Sequence, residues 1–259
     1  MLVSIIPLLL GICAPLTADA SWKWNMTEGV TDISLEVFNL HMRIFWVCVV
    51  IGIIVFSLMI WAIIFHRKSL GHQAATFHEN VYVEIVWTAI PFIILVCMSI
   101  PATRVLIKME DTAESDLTIK VVGYQWFWGY EYPEEGLSYF SNLSTPMEEI
   151  QNKVPKNEFY LIQVDNPVVI PIDKKIRILT TAADVQHSFW VPALGFKKDA
   201  IPGFINESWT KINKPGIYRG RCAELCGFKH AYMPIELHAV SWDEYQEWVK
   251  KMKMQQNNI

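Results

Sequence analysis

The chain has 259 residues, 52% of them apolar and 19% charged, with 22 basic against 26 acidic side chains and a formal net charge of -4. So much apolar surface excludes a disordered chain, five cysteines in this length exclude a disulfide-dense scaffold, and the missing basic excess excludes a nucleic-acid binder. Long apolar runs fill the first hundred or so residues and charge follows them, which reads as a membrane anchor with a soluble domain behind it.

Residues 1–20 hold a short apolar run ending in Ala18-Asp19-Ala20, the small-residue pattern of a signal-peptidase site. They read as a cleaved export signal, although no Lys or Arg precedes the run, and residues 21–43 follow as an exported N-terminal segment. Between Arg43 and His66 lie 22 uncharged residues, about 33 Å of helix, so residues 44–65 are a predicted transmembrane helix. Between Glu84 and Arg104 another 19 make about 28 Å, and a second predicted span covers 84–105. Pro91 and Pro101 should bend it, which neighbouring helices can tolerate by satisfying the freed carbonyls; this points to a larger membrane partner. Trp46, Trp61 and Trp87 stand near span ends, where indoles favour the interface. The two spans form a hairpin whose termini share the outer side, and the loop 66–83, with Arg67 and Lys68, lies on the cytoplasmic side. Its histidines, His66, His72 and His78, lack regular ligand spacing and read as solvated.

From residue 106 to 240 the texture changes to short β-rich runs, such as LTIKVVGYQWFWGYEY, KIRILTT and MPIELHAV, separated by Gly, Pro, Asn and Asp. That spacing predicts an all-β sandwich or Greek-key barrel. Residues 241–259 supply a C-terminal helix and a polar tail: Ser241 with Glu244 makes a capping box, and Tyr245, Trp248, Val249 and Met252 form one apolar stripe.

The chemistry concentrates in Cys222-Ala-Glu224-Leu-Cys226-Gly-Phe-Lys-His230-Ala-Tyr-Met233, with His187 upstream in DVQHSFWVP. Two thiols, two imidazoles and a thioether are soft or borderline donors suited to copper. Alternatives stand beside that reading. The cysteines could form a disulfide in an oxidising compartment, or join both histidines in a Cys2His2 zinc site that leaves Met233 idle, or the histidines could be ordinary core residues. Blue-copper domains, however, take one His from a strand and Cys, His and Met in order from a later loop. Here that arrangement carries one extra thiolate, which permits a two-copper core bridged by both sulfurs.

CAELCGFKHAYMP, HSFWVPALGFKKDAIPG, VVGYQWFWGYEY and EIVWTAIPF after a two-span anchor together resemble the cytochrome c oxidase subunit II family of the haem-copper oxidases, over roughly residues 30–250. The resemblance implies a cupredoxin barrel with a dinuclear copper centre, CuA, on the outer face of a membrane. It implies that Cys222 and Cys226 bridge two copper ions, that His187 and Met233 complete one, and that His230 and the backbone carbonyl of Glu224 complete the other. The Glu224 carboxylate would reach a magnesium shared with subunit I, a hard ion suited to oxygen ligands.

Further roles follow from the same resemblance. Trp126 would be the exposed point at which electrons arrive from cytochrome c, with Trp128 a core residue. Glu131, Glu134 and Asp184 would form an acidic docking patch for a basic cytochrome c, although singly each reads as solvated charge. Glu84 would stand at the cytoplasmic mouth of a proton pathway through subunit I, while its bland reading is a helix-end carboxylate favoured by the N-terminal dipole. The expected function is thus the electron-accepting subunit of a proton-pumping oxidase translocase in a bacterial inner membrane. Its partners would be cytochrome c, subunit I, the other oxidase subunits and membrane lipid, and oxygen is reduced elsewhere because no CxxCH haem motif is present. A membrane-tethered copper-binding or copper-delivery protein is the competing reading; it explains the ligands but neither the aromatic motif nor Glu84.

Overall fold

The computed structural model describes residues 25–73 and 75–256; the segment read as an export signal, 1–20, lies outside them. Helix α1 spans Asp32–Phe65 and α2 spans Val81–Glu110, and both are long and apolar enough to cross a membrane. No side chain in their apolar windows is buried within this chain, the inverse of a soluble core helix. At 34 and 30 residues, or about 51 and 45 Å, each outruns the hydrocarbon layer. The surplus is polar helix at the end next to the β-domain: α1 starts well before the uncharged run at Ile44, and α2 passes Arg104 to end at Glu110.

Local chemistry sets these ends. Thr31 caps α1 reciprocally with Ser34: the Thr31 hydroxyl accepts from the Ser34 N–H at 2.9 Å, and the Ser34 hydroxyl accepts from the Thr31 N–H at 3.0 Å. Asn80 caps α2 by accepting from the Val83 N–H at 3.3 Å. Between the helices, a 3-10 turn Lys68–Leu70 closes on Gly71 in the left-handed region. Pro91 and Pro101 both lie inside α2.

The β-domain has ten strands: β1 Leu117–Tyr124, β2 Phe127–Tyr132, β3 Leu137–Ser141, β4 Val168–Pro171, β5 Ile176–Ala182, β6 His187–Trp190, β7 Lys197–Ala200, β8 Asn206–Thr210, β9 Gly216–Cys222 and β10 Pro234–Val240. They form two five-stranded sheets, ordered β3-β2-β1-β5-β8 and β4-β10-β9-β6-β7. Only β1 with β5 and β10 with β4 pair in parallel. The apolar core fills the space between the sheets. On β2, Trp128, Tyr130 and Tyr132 are buried on the core face while Phe127 and Glu131 on the other face are half-exposed, with Gly129 between them covered by Tyr124 and Phe140. Helix α3, Trp242–Gln256, then covers one end with Tyr245 and Val249, and Trp248 packs on Tyr132 with ring centres 5.2 Å apart. The Glu244 carboxylate accepts from the Ser241 N–H at 2.9 Å, so the capping box forms.

Anchor and β-domain are joined by hydrogen bonds as well as by packing. The strap before α1 threads between two loops: Val30 N–H donates to the Ala193 carbonyl at 2.9 Å, Asn213 N–H donates to the Val30 carbonyl at 3.0 Å, and the Thr31 hydroxyl donates to the Leu194 carbonyl at 3.1 Å. Gly195, with φ of 81°, permits this approach, since a Cβ there would lie 2.5 Å from the Ser34 Cα. At the end of α2, the Trp209 indole donates to the Lys108 carbonyl at 2.9 Å, and Lys108 pairs with Glu36 across the hairpin. The β-domain therefore has a fixed footing on the helices.

Candidate metal centre

The pairing of β6 with β9 sets Phe189 opposite Cys222, which brings His187, at the head of β6, beside the last residue of β9. The chain then leaves the sheet, turns through residues 223–229 and a 3-10 turn His230–Tyr232, and re-enters at β10. Three bonds close this loop. Ala223 N–H donates to the Ser188 carbonyl at 3.0 Å, while the Met233 carbonyl accepts from the Cys222 N–H and from the Trp128 indole, both at 3.3 Å.

Within this frame five soft donors converge. The Cys222 and Cys226 sulfurs are 3.9 Å apart and both thiols are free, at nearly twice the length of a disulfide bond. Cys222 Sγ lies 3.8 Å from His187 Nδ1; Cys226 Sγ lies 3.4 Å from His230 Nδ1 and 3.5 Å from Met233 Sδ. The Glu224 carbonyl oxygen stands 3.3 Å from Cys222 Sγ, so the backbone also offers an oxygen, while the Glu224 side chain is half-buried beside the loop. His187, Cys222, Cys226 and Met233 are buried and His230 is half-exposed. Gly123 makes room for the His187 ring: a Cβ at that position would fall 2.7 Å from its Cδ2.

The electrostatics ask for a cation. Burial resists ionisation of the Cys222 thiol, but hydrogen bonds from His187 and from backbone N–H groups, together with the His187 charge, hold it below its usual range. Burial, and then the charge of Cys222, push the Cys226 thiol up to about 12. Two thiolates this close need positive charge between them, which bound metal supplies. The ion is chosen by softness. A zinc tetrahedron would be complete with two Cys and two His, yet Met233 is 1% exposed with its sulfur turned onto Cys226. A buried thioether among thiolates and imidazoles fits copper.

Asp184 supports the centre from outside. Its carboxylate takes the His187 Nε2 at 2.9 Å and accepts from the Val185 and Gln125 N–H groups at 2.6 and 2.7 Å. That leaves Nδ1 of His187, which faces Cys222 Sγ, as the nitrogen available to a metal. Burial alone would raise the Asp184 carboxyl, but these bonds hold it below its usual range. Sequence reading placed Asp184 in a docking patch; the i to i+3 spacing of Asp184 and His187 was the signal for this contact.

Trp126 is half-exposed over the metal loop. Its indole N–H donates to the Cys226 carbonyl at 3.1 Å, the Gln125 side chain donates to the same oxygen at 2.9 Å, and its ring meets Phe228 edge-on at 4.6 Å. Trp128, two residues on, is fully buried against Phe189 and 6.0 Å from the His187 ring. The three carboxylates grouped as a docking patch lie on different elements. Asp184 accepts from the Gln125 N–H beside Trp126, Glu131 on β2 is paired with Lys120 at 3.0 Å, and Glu134 lies in the turn after β2. Glu84 is exposed in the first turn of α2, at the hairpin end remote from the metal loop.

Comparison with known proteins agrees with this architecture. The family described as Cytochrome C oxidase subunit II matches through its periplasmic domain at residues 117–240 and through its transmembrane domain at residues 19–105. A Rickettsia bellii protein named "Probable cytochrome c oxidase subunit 2" is 40% identical over 228 residues, covering 88% of this chain and 83% of the relative. The cytochrome c oxidase subunit 2 of Metridium senile is 37% identical over 235 residues, covering 88% and 89%. Among solved structures, the periplasmic domain of subunit II of cytochrome oxidase (CoxB) of Bradyrhizobium japonicum is 43% identical, covers 56% of this chain and 98% of that one, and superposes with a TM-score of 0.49.

Proposed function

The chain belongs to the cytochrome c oxidase subunit II family, and on that premise we propose that it takes single electrons from cytochrome c and hands them to the haem of subunit I, for oxygen reduction coupled to proton pumping. The observation that carries this reading is the continuity between surface and thiolate: Trp126 is partly open to solvent, and its N–H is bonded to the carbonyl of Cys226. A delivery protein needs no such link, since it must release its metal rather than conduct through it.

Two copper ions held between Cys222 and Cys226 would share each electron through both sulfurs, which keeps geometry change on redox cycling small. The chain's part is to hold those sulfurs fixed. His187 Nδ1 and Met233 Sδ would serve one ion, His230 Nδ1 and the Glu224 carbonyl the other, and Asp184 and Gly123 fix the His187 ring so that it does not reorient. Trp126 couples the docking surface to Cys226, while Trp128 locks the loop from beneath through the Met233 carbonyl. The half-buried Glu224 carboxylate is free to reach a magnesium shared with subunit I. Glu84, at the opposite end of the hairpin, would admit protons toward subunit I. Glu131 and Glu134 would add only to the longer-range field that steers cytochrome c. Lipid and subunit I cover the bare faces of α1 and α2, in a bacterial inner membrane with the copper domain outside. Copper counting and electron paramagnetic resonance on the purified full chain test the assignment: two coppers per chain with one electron shared equally between them is expected, and one copper per chain would refute it.

A further inference from the structure

On both helices of the hairpin the uncharged run is bounded by an arginine on the side of the β-domain. Arg43 directly precedes the 22 uncharged residues of α1, and Arg104 directly follows the 19 of α2. Both therefore stand where hydrocarbon gives way to headgroups, a level also marked by the exposed indole of Trp46, one turn further along α1. The two side chains line one cleft of about 250 Å³ between the helices, with Glu36 and Asn39 beside them and Leu40 and Val105 as apolar wall. That is the space of roughly eight waters at ~30 Å³ each, enough for a phosphodiester and its glycerol. Among the described residues neither arginine has an ion-pair partner, whereas Glu36 is held by Lys108, so the cleft carries net positive charge. Two guanidiniums lining one cleft at the edge of a hydrocarbon layer repel each other and resist desolvation, and an anion between them relieves both.

We propose that this cleft binds the phosphate of an anionic phospholipid in the headgroup layer on the β-domain side. Arginine forks match phosphate oxygens bidentately, and the Asn39 amide offers a donor and an acceptor to glycerol hydroxyls. The acyl chains run down the exposed apolar side chains of α1 and α2. A zwitterionic headgroup fits less well, because its ammonium enters a basic cleft whose carboxylate, Glu36, is already taken by Lys108. A lipid held there pins α1 to α2 one turn before the Lys108 carbonyl that the Trp209 indole grips, and so steadies the footing of the β-domain. The inference rests on the membrane placement of the hairpin and is independent of the copper chemistry.

The test is native mass spectrometry of the assembled oxidase, stripped of lipid in detergent and titrated with dioleoylphosphatidylglycerol or dioleoylphosphatidylcholine. One phosphatidylglycerol should bind more tightly than any phosphatidylcholine. Arg43→Gln and Arg104→Gln should each weaken that site about tenfold, and the double variant should abolish it. Arg104→Lys, which keeps the charge but loses the fork, should weaken it less than Arg104→Gln. Equimolar inorganic phosphate should not displace the lipid, since the free ion has no chains to bury. The copper spectrum and the Tm in lipid-free detergent serve as controls for folding. Unaltered phosphatidylglycerol binding in the double variant, equal binding of phosphatidylcholine, or displacement by equimolar phosphate would each overturn the inference. So would loss of subunit I from the double variant with lipid binding retained, which would assign the arginines to a carboxylate of that subunit. A failure of the two-copper assignment would leave all these outcomes unchanged.

Discussion

The metal loop, residues 222–233, and the helical hairpin, residues 32–110, use opposite economies of side chain. In the hairpin almost any apolar residue serves at a lipid-facing position, because its requirement is averaged over a stretch of chain. In the loop the donor atoms have particular partners, a sulfur against a nitrogen at 3.4 Å and a carbonyl shared by an indole and an amide, and Gly123 on β1 admits the imidazole that faces them. Information about the fold is spread thinly in the first region and concentrated in the second. Substitutions should divide the same way.

The largest effect should come from Cys226→Ser or Cys222→Ser, which replaces a bridging thiolate with a hard, weakly binding hydroxyl. Loss of the shared-electron resonance, and a fall in electron acceptance of at least a hundredfold, should be seen by spectroscopy and stopped-flow reduction. Retention of either would mean that the two sulfurs do not act as a pair.

The two tryptophans separate conduction from packing. Trp128→Ala should cost about 3 to 5 kcal/mol in chemical denaturation, because it empties a fully buried site and removes the donor that holds the Met233 carbonyl. Trp126→Phe should cost far less stability and yet slow electron acceptance by one or more orders of magnitude with the copper spectrum intact. The reverse pattern would place conduction in the core.

Asp184→Ala frees the His187 ring and should shift the copper spectrum and weaken metal retention about tenfold or more, whereas Asp184→Asn keeps an acceptor oxygen and should do less. If both variants behave alike in metal-competition titrations, the carboxylate acts only as surface charge.

Where the hairpin meets the β-domain the expected effect is small. Glu207 pairs with Arg177 at 2.7 Å and accepts from the Thr112 hydroxyl at 3.1 Å, and these partners hold its carboxyl below its usual range. The folded state therefore binds this proton less readily than the unfolded one, so the contribution is present above about pH 4.5 and is lost as pH falls through the folded value. Glu207→Gln should flatten that acid limb by under about 1 kcal/mol, since the pair is largely solvated. A hairpin substitution such as Leu58→Ile should change neither stability nor copper spectrum measurably.

The same contrast explains what could be read before the fold was known. The two long helices were legible as uncharged runs, and the β-domain as alternating segments, because each property is local and periodic. The bounds of α1 and α2 were less so: the runs show where lipid begins, while the helices continue as polar turns until Thr31 and Asp111 end them, positions set by contact with the β-domain. Cys222, Cys226, His230 and Met233 are close in sequence and announced themselves as a set of soft donors. Only tertiary structure decided the rest. The β6–β9 register brings His187 across 35 residues to Cys222, and the two sheets lay Gly123 against the imidazole. The shared Cys226 carbonyl ties Trp126 to the loop, and strand alternation sends Trp128 into the core. Composition and period are properties of the chain alone, whereas a ligand's orientation and a charge's partner depend on what packs against them, and strands distant in sequence supply those neighbours.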